Sequence, residues 1–250
     1  MTNDFDSHWE KNILKEVAQT KLQEARRFLT PCKEFFSESS KIQILDAGCG
    51  DGVHLKILTD EYILHEKATI VGMDISSQAV KLSQKRIGQL CPVIQGDVVS
   101  IPFTDNTFDI VFSFGVLAYS ENPSFAFAEL CRVTRPGGYI GLWLYPKKSG
   151  IAGRLFQFVR WLCSISGAWG TEMIANIIVP FLAFLPTCSK VSLANATWQQ
   201  CREIVLVNIA PQQLFFPSVE EVESWFEHHK ITITNKDNNR PITLWGRKCL

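Results

Sequence analysis

Hydrophobic positions come in short runs of strand type, each followed by a longer segment with helical spacing. The runs predict strands at residues 42–46, 68–74, 93–95, 108–113 and 139–145. The segments between them predict helices at 53–60, at 78–90 and from 123 to the Pro-Gly-Gly stretch at 136–138. Two later runs, 231–234 and 242–245, flank an Asn- and Asp-rich turn and predict an antiparallel hairpin. Strands that alternate with helices in this way predict an α/β protein with a doubly wound, mostly parallel sheet.

A strand-type run, a glycine-rich turn and the start of a helix follow one another in KIQILDAGCGDGVHL. Gly48, Gly50 and Gly52 stand at alternate positions, with Asp46 before them and Asp51 among them. Such a turn forms the ligand-binding corner of a doubly wound sheet, because glycine allows positive φ and lets the backbone approach a ligand closely. The spacing is G-x-G-x-G, which differs from the G-x-G-x-x-G of dinucleotide sites.

Two carboxylates change the chemistry of this turn. A pyrophosphate needs N–H donors and no nearby anion, so Asp46 and Asp51 would repel it. A ligand that carries an amino group and a sulfonium would not be repelled. The turn therefore favours S-adenosylmethionine over a nicotinamide cofactor.

Four motifs occur in order along residues 41–145: ILDAGCGDG, VGMDIS, QGDVVSIPFTDNTFDIVFS and ELCRVTRPGGYIGLW. In these motifs the chain resembles the class I S-adenosylmethionine-dependent methyltransferase family, in particular its small-molecule "methyltransferase type 11" and ubiquinone–menaquinone C-methyltransferase members. The resemblance implies a Rossmann-like, seven-stranded, mostly parallel sheet with an antiparallel C-terminal hairpin and a helical insertion after strand 5. It also implies an enzyme that transfers a methyl group.

Several residues expected to bind the cofactor follow strands 2 and 3. Asp74 ends strand 2, where an acid accepts hydrogen bonds from ribose hydroxyls in this architecture; the alternative is a helix cap. Ile75 beside it would lie against the adenine ring. In the family, the acid matching Asp97 meets the adenine amine, and its neighbour, here Val98, supplies a backbone donor. The alternative for Gly96-Asp97 is a simple turn.

The first motif and the end of strand 4 supply the other cofactor candidates. From the glycine-rich turn we expect contacts through Asp46, Gly48, Cys49 and Gly50. Ser113 and Phe114 leave the carboxyl end of strand 4, where ligands bind in open α/β sheets.

Candidate catalytic residues are few. Related methyltransferases often have a His where Tyr119 stands, so the chain departs from the family pattern there. A phenol can orient a substrate hydroxyl, but it is a poor base at neutral pH unless its pKa is lowered. His54, in the first turn of the helix after the glycines, is the second candidate, and the alternative is that it only packs. No metal-ligand set is evident, because the five His and eight Cys show no zinc spacing.

Composition limits the kinds of partner and the cellular compartment that we expect. Lys plus Arg and Asp plus Glu both number 25, so the net charge is zero, which argues against a general nucleic-acid binder. The eight cysteines include no C-x-x-C pair and are expected to be reduced, apolar side chains. With a polar, acidic start that is unlike a signal peptide, this predicts a cytoplasmic protein. The oligomeric state stays open.

At 250 residues the chain suits one methyltransferase domain, 1–250, with four parts. We expect an N-terminal helical segment at 1–40, a cofactor-binding core at 41–145, a helical insertion or cap at 146–217, and a C-terminal helix and hairpin at 218–250. The first part contains an amphipathic helix at about 8–30. This helix either covers the sheet edge or, as the family resemblance implies, forms a lid beside the active site.

The insertion differs in composition from the rest of the chain. Residues 147–170 hold four basic side chains and no acid, and 173–189 hold no charge. The second run is 17 residues long and broken by Pro180, whereas a spanning helix needs about 20 apolar residues, so we expect no transmembrane segment. Three interpretations stay open: an apolar cap over the active site, peripheral membrane contact through 147–189, or an ordinary helical subdomain or dimer interface.

The predicted function is methyl transfer to a small-molecule acceptor that is apolar or aromatic, such as a quinone, a phenol or a lipid-like molecule. The alternative is a non-catalytic protein that keeps the methyltransferase fold and serves as a binding partner. The intact GCGDG, Asp74 and Asp97 argue against a lost cofactor pocket.

Overall fold

The computed structural model describes residues 17–35, 41–62, 68–145, 150–182, 215–237 and 241–250, together with residues 198, 202, 205 and 206. Of these, the residues between 21 and 145 and those from 215 onwards form one compact unit. Residues 17–20 and those between 150 and 206 belong to a second unit.

The first unit is built on one seven-stranded sheet. Its strands are β1 (Ile42–Ala47), β2 (Ala68–Asp74), β3 (Val93–Gln95), β4 (Phe108–Phe114), β5 (Thr134–Leu144), β6 (Ile231–Asp237) and β7 (Ile242–Lys248). Their order in the sheet is β3-β2-β1-β4-β5-β7-β6. The first five run parallel, and β7 is antiparallel to both β5 and β6. The predicted doubly wound sheet with an antiparallel C-terminal hairpin is confirmed.

Three of the described helices begin at a residue whose side chain caps them. The described helices are α1 (Val17–Leu29), the one-turn α2 (Cys32–Phe35), α3 (Val53–Tyr62), α4 (Ser77–Ile87), α5 (Pro123–Val133), α6 (Gly150–Leu182) and α7 (Val219–His228), with a 3₁₀ turn at Leu117–Tyr119. Ser76, Asn122 and Ser218 each accept a hydrogen bond at 3.1 Å from the backbone N–H three residues further on. These bonds satisfy donors that the first turn of a helix leaves open.

Several element boundaries differ from the sequence prediction, and two of the differences involve stretches that contain glycine. The helix expected at 78–90 ends at Ile87, because Gly88 takes a φ of 64° that a helix cannot continue. The helix expected to reach the Pro-Gly-Gly stretch ends at Val133, and β5 begins at Thr134 instead of 139. Residues 136–138 therefore lie inside a strand.

Each face of the sheet carries its own apolar core. Alternate strand residues point to opposite sides, so Leu45 and Val111 join one core, together with side chains of α5 and α7. Ile44 and Phe112 join the other core, together with side chains of α1, α3 and α4. Covering on both faces is what a parallel sheet requires.

Trp245 of β7 connects the last strand to the N-terminal helix. Its indole is fully buried, and its ring lies 5.1 Å from the Phe28 ring of α1, measured between centroids. Its Nε1–H donates to the Phe28 carbonyl oxygen at 3.0 Å. The end of α1 that belongs to the first unit, with Ala25, Phe28 and Leu29 in the core, therefore covers a face of the sheet and not its edge.

The second unit, as far as it is described, is built on α6. Gly167 takes φ 68° and ψ −172°, so α6 consists of two helices joined at this residue. Cys163 of the first half shares a small buried core with Ala175 and Val179 of the second. The Thr171 hydroxyl donates to the Gly167 carbonyl oxygen at 2.9 Å and holds the junction.

By length and composition alone, Gly153–Val179 within α6 is able to cross a membrane. This stretch begins earlier than the uncharged run at 173–189 on which the sequence prediction rests. Only 22% of its apolar window is buried, so α6 differs from the core helix of a globular protein. One such helix is weak evidence of a span, and the break at Gly167 interrupts it.

Gly141→Ala should destabilise the protein by about 2 kcal/mol, because the new Cβ would lie 2.6 Å from the buried Trp245 ring. In a Trp245→Phe background the same substitution should cost less, since the part of the indole at that contact is gone. Denaturant unfolding of the four proteins in a double-mutant cycle measures the difference. Equal costs in both backgrounds would contradict this contact.

Candidate active site

The candidate site lies at the carboxyl ends of β1, β2 and β4, which are neighbours in the sheet. Asp46 is near the end of β1, Asp74 ends β2, and Ser113 with Phe114 ends β4. The carboxyl ends of parallel strands meet at one edge of a sheet, where ligands bind. The fold thus brings predicted cofactor residues from three parts of the chain to the same edge.

The backbone of the glycine-rich turn is fastened to the end of β2. The amides of Gly48 and Cys49 both donate to the Met73 carbonyl oxygen, at 2.7 and 2.9 Å. The Gly50 amide donates to Asp74 Oδ2 at 2.9 Å. Gly48 and Gly50 take φ values of 93° and 53°, a region that favours glycine. The turn therefore depends on glycine at these alternate positions.

Two glycines of the turn also make room for neighbouring side chains. A Cβ on Gly48 would lie 2.2 Å from the Val116 side chain, in the loop after β4. A Cβ on Gly52 would lie 2.4 Å from Ser83 Oγ of α4. Protein interiors have no slack for such overlaps, so the turn is held closely between this loop and α4. Sequence reasoning missed Val116, because no local signal shows which residue faces Gly48.

Asp46 is the unusual group of the site. Its side chain is fully buried, and neither carboxylate oxygen has a hydrogen-bond partner among the described residues. Burial raises the pKa of this carboxyl well above its usual value, and the charges of Asp74 and Asp51 raise it further. Because a buried polar group without a partner is costly, a cationic ligand or an N–H donor would relieve it.

The second acid of the turn, Asp51, is paired with an arginine. Arg86 of α4 donates to Asp51 Oδ2 at 2.8 Å and to the Asp51 carbonyl oxygen at 2.6 Å. The expectation that Asp51 repels a pyrophosphate is thereby weakened, since its charge is largely offset. The argument against a pyrophosphate now depends on Asp46.

Asp74 has a structural role in addition to the ribose-binding role predicted for it. Its Oδ1 accepts from the Ser76 amide at 2.9 Å, and its Oδ2 accepts from the Gly50 amide. Ser76 is the N-cap of α4, so Asp74 is not needed for that role. A carboxylate has about four acceptor positions, so these bonds are compatible with a ribose contact. Ile75 beside it is half-buried, and both ligand contacts remain predictions.

Gly96-Asp97 forms a tight turn after β3. Asp97 Oδ1 accepts from the Val99 amide at 3.1 Å. The Gly96 amide donates to the Asp74 carbonyl oxygen at 2.9 Å, which ties this turn to the end of β2. Val98 is buried in the core next to it. The turn considered in the sequence is therefore present, and contact of Asp97 or Val98 with an adenine is still a prediction.

Cys49 and Ser113 use their polar groups inside the fold. The Cys49 thiol is buried 3.9 Å from Ser83 Oγ, and burial raises the pKa of this thiol above its usual value. The Ser113 hydroxyl donates to the Ala47 carbonyl oxygen at 2.7 Å and joins the ends of β4 and β1. Both residues shape the site from within. Contact of either residue with the cofactor remains a prediction.

His54 and Phe114 belong to an aromatic cluster. Their ring centroids lie 4.6 Å apart, and Phe114 stacks on Trp143 at 4.2 Å. Phe28 of α1 lies 5.2 Å from Phe114 and 6.1 Å from His54. His54 is only 8% exposed. Of the two roles considered for this imidazole, packing is the one that the geometry supports.

Tyr119 lies near a second tyrosine, Tyr145, which sequence reasoning missed. Tyr119 is half-buried at the end of the 3₁₀ turn, and Tyr145 directly follows β5. Desolvation of its hydroxyl raises the pKa of Tyr145 to about 12, although 46% of the residue is exposed, and the charges of Tyr119 and Glu24 add to the shift. A phenol with a raised pKa is a hydrogen-bond donor and not a base at neutral pH. The sequence signal that could have identified Tyr145 as a site residue was its position at the carboxyl end of the predicted strand 5.

The described residues contain neither a group of side chains that would hold a metal ion nor a disulfide bond. No group of three or more His, Cys, Asp and Glu side chains gathers there in a way that would hold a metal ion. The six cysteines within those ranges are free thiols, and five of them are buried. Such cysteines act as small apolar side chains, as expected from the sequence.

Residues 45–142 match the methyltransferase domain family. The matched stretch runs from β1 into β5 and contains the glycine-rich turn, Asp74 and Asp97. It carries the parallel part of the sheet and the edge at which the candidate site lies. Residues 45–142 of this chain are therefore similar to a methyltransferase domain, as the four motifs indicated.

Two curated methyltransferases are similar to the same core. The malonyl-[acyl-carrier protein] O-methyltransferase of Legionella pneumophila is 37% identical over 98 residues, which are 38% of this chain and 34% of that protein. The demethylmenaquinone methyltransferase of Renibacterium salmoninarum is 35% identical over 97 residues, which are 38% of each chain. The chain thus matches little more than a third of the length of these relatives.

A solved SAM-dependent methyltransferase from Aquifex aeolicus is similar over most of the chain. The two share 17% identity with a TM-score of 0.51, and the similarity covers 91% of this chain and 96% of that one. At this level of identity the likeness shows the fold alone.

Asp46→Asn should raise the thermal stability of the ligand-free protein at neutral pH. Because the carboxyl has a raised pKa in the folded state, folding opposes its ionisation, and wild-type stability falls as pH rises from the usual Asp pKa towards the raised one. Asn cannot ionise, so the free energy that the unfolded wild type gains by ionising Asp46 at neutral pH is lost, and the variant should be more stable by about 1 kcal/mol, or about 2–4 °C in a domain of this size. Thermal unfolding at several pH values measures the difference.

The exposed Asp60, paired with Lys56, supplies the matched control. The difference in stability between Asp60→Asn and the wild type should not change with pH in this way, because a surface pair contributes little. An Asp46→Asn protein that is no more stable than wild type at any pH would contradict the buried, unpartnered state of this carboxyl.

Proposed function

We propose that this protein is an S-adenosylmethionine-dependent methyltransferase. The observation that carries the proposal is Asp46, a fully buried carboxyl with no partner among the described residues, beside the glycine-rich turn of a methyltransferase domain. The ammonium and sulfonium groups of S-adenosylmethionine both favour an ionised carboxylate nearby. A pyrophosphate would meet that carboxylate with charge of the same sign.

The residues at the sheet edge fit this ligand in their chemistry. Gly48 and Gly50 present backbone without a Cβ, so a ligand can approach the turn closely. Asp74 would accept from the ribose hydroxyls, and Asp97 would accept from the adenine amine. Ile75 would offer an apolar surface to the adenine ring.

When bound, S-adenosylmethionine supplies a methyl carbon already activated by a sulfonium. The protein has to hold the acceptor in line with that carbon, and alignment of this kind lowers barriers by about 7 kcal/mol or more in favourable cases. A general base is needed only for an acceptor that is not ionised at neutral pH. We propose that Tyr119 orients the acceptor or accepts its proton. His54 is the weaker candidate, because rings surround it.

For the acceptor we propose a small apolar or aromatic molecule, such as a quinone, a phenol or a lipid-like compound. Partial similarity to a demethylmenaquinone methyltransferase supports a quinone-like acceptor. The rings of Phe114, Trp143 and Tyr145, which contact one another at the ends of β4 and β5, support an apolar one. We propose that the protein is cytoplasmic and that it contacts a membrane peripherally through residues 147–189. We do not propose a nucleic-acid partner.

Calorimetric titration with S-adenosylmethionine and S-adenosylhomocysteine tests the cofactor, with NADH as the control. We expect micromolar binding of the first two and no binding of NADH. Binding of NADH alone would overturn the proposal. Failure of all three to bind would favour a non-catalytic binding protein with this fold. After a positive result, transfer of a labelled methyl group to quinones, phenols and lipid extracts identifies the acceptor class.

Binding of S-adenosylmethionine should release a proton from Asp46. A cation beside the carboxyl lowers its raised pKa, so affinity should increase as pH rises towards that pKa. Titration in two buffers of different ionisation enthalpy counts the proton. Asp46→Asn should bind about tenfold more weakly and should lose both the proton release and the pH trend. Proton release that is unchanged in the variant would assign the effect to another group.

A further inference from the structure

The region around the break in α6 exposes much apolar surface. Six large side chains between 151 and 169 are 52% to 81% exposed: Ile151, Leu155, Phe158, Trp161, Ile165 and Trp169. Single exposed apolar residues are ordinary on a protein surface, but a contiguous row of them marks an interaction site.

Four of these side chains form one face of the first half of α6. Ile151, Leu155, Phe158 and Ile165 recur at i, i+4, i+7 and i+14 and make up what we call the outer face. At about 100° per residue, the fully buried Cys163 points about 140° away from Phe158. Cys163 lies in the small core of the second unit. This helix therefore has two apolar sides, and only one of them is packed.

The charges on and before this helix are all positive. Arg154 and Arg160 lie within it, Lys147 and Lys148 precede it, and no Asp or Glu occurs from 147 to 170. Arg154 is exposed and lies about 40° around the helix from Phe158. Arg160 lies about 160° around the helix from Phe158, so Arg154 is the arginine of this helix beside the outer face. A basic residue in that position complements an anionic lipid surface, and tryptophan, here Trp161, prefers the interface.

The first half of α6 is too short to cross a bilayer. Gly167 breaks the helix, so the half from Gly150 to residue 166 has about 17 residues and a length of about 25 Å. The hydrocarbon core of a bilayer is about 30 Å thick. This helix can lie along a membrane surface without spanning it.

We propose that the outer face docks flat on an anionic lipid membrane, with Arg154 and Trp161 at the level of the headgroups. The inference deepens the peripheral membrane contact proposed above and does not depend on methyl transfer. Docking of this kind would place the protein where lipid-soluble acceptors are concentrated.

A second copy of the chain is the other occupant to consider. In a two-fold symmetric contact each residue meets its own surroundings again, so the basic groups of both copies would come together. Between 147 and 170 no acid is available to pair with them. Like charges brought together across an interface oppose association. The charge pattern therefore favours anionic lipid.

Sedimentation of the whole protein with vesicles, without cofactor, tests the proposal. We expect binding to phosphatidylcholine vesicles that contain phosphatidylglycerol, and binding to pure phosphatidylcholine that is weaker by about tenfold or more. The double variant Leu155→Ser/Phe158→Ser should weaken binding to the mixed vesicles by about tenfold or more, because two inserted side chains are lost. Arg154→Gln should weaken it about fivefold and leave binding to neutral vesicles unchanged.

Gln157 supplies the matched control, because it is an exposed polar residue on the same helix. Gln157→Ser should bind vesicles like the wild type. The proposal fails if the wild type does not bind the mixed vesicles or if the double variant binds as well as the wild type. A wild-type dimer that the double variant converts to a monomer would assign the face to a second copy. All variants should keep wild-type affinity for S-adenosylmethionine, so failed docking and a failed cofactor assignment appear in separate assays.

Discussion

The attachment of the glycine-rich turn to the end of β2 is the constraint on which the site depends. The Met73 carbonyl oxygen accepts from two successive amides of the turn, and Asp74 accepts from the third. The turn is thereby placed against Val116, with no room for a Cβ at Gly48. Asp46, just before the turn, is left buried with its carboxyl unrelieved. The fold thus carries a local cost that a ligand of suitable charge removes, which is common at functional sites.

The order and type of the elements could be predicted because the signals for them are local. Apolar runs bounded by turn residues located β2 and β3 to the residue. The caps at Ser76 and Asn122 are local signals of the same kind, since a cap depends only on the next few backbone amides. Asp74 was identified as a candidate because the end of a parallel strand is itself a position with functional meaning.

Contacts between residues far apart in sequence could not be predicted from these signals. Arg86 offsets the charge of Asp51 across 35 residues, and Val116 lies against the glycine-rich turn. His54 stands at a helix start in the sequence, yet rings from α1 and β4 surround it in the fold. The two apolar sides of α6 blur the periodicity that would otherwise mark an amphipathic helix, so its full extent to Leu182 emerged only from the structure.

The hydrogen bond from Trp245 to the Phe28 carbonyl oxygen limits the order in which the chain can fold. The two residues are separated by 217 positions, so during synthesis α1 is made long before the strand that completes its packing. Until β7 arrives, the sheet face that contains Ile44 and Phe112 lacks part of its cover. Contacts of such long sequence separation form slowly, and apolar surface that waits for them is prone to aggregate. In the nascent chain, the apolar side chains of this sheet face are therefore incompletely covered until β7 has been synthesised.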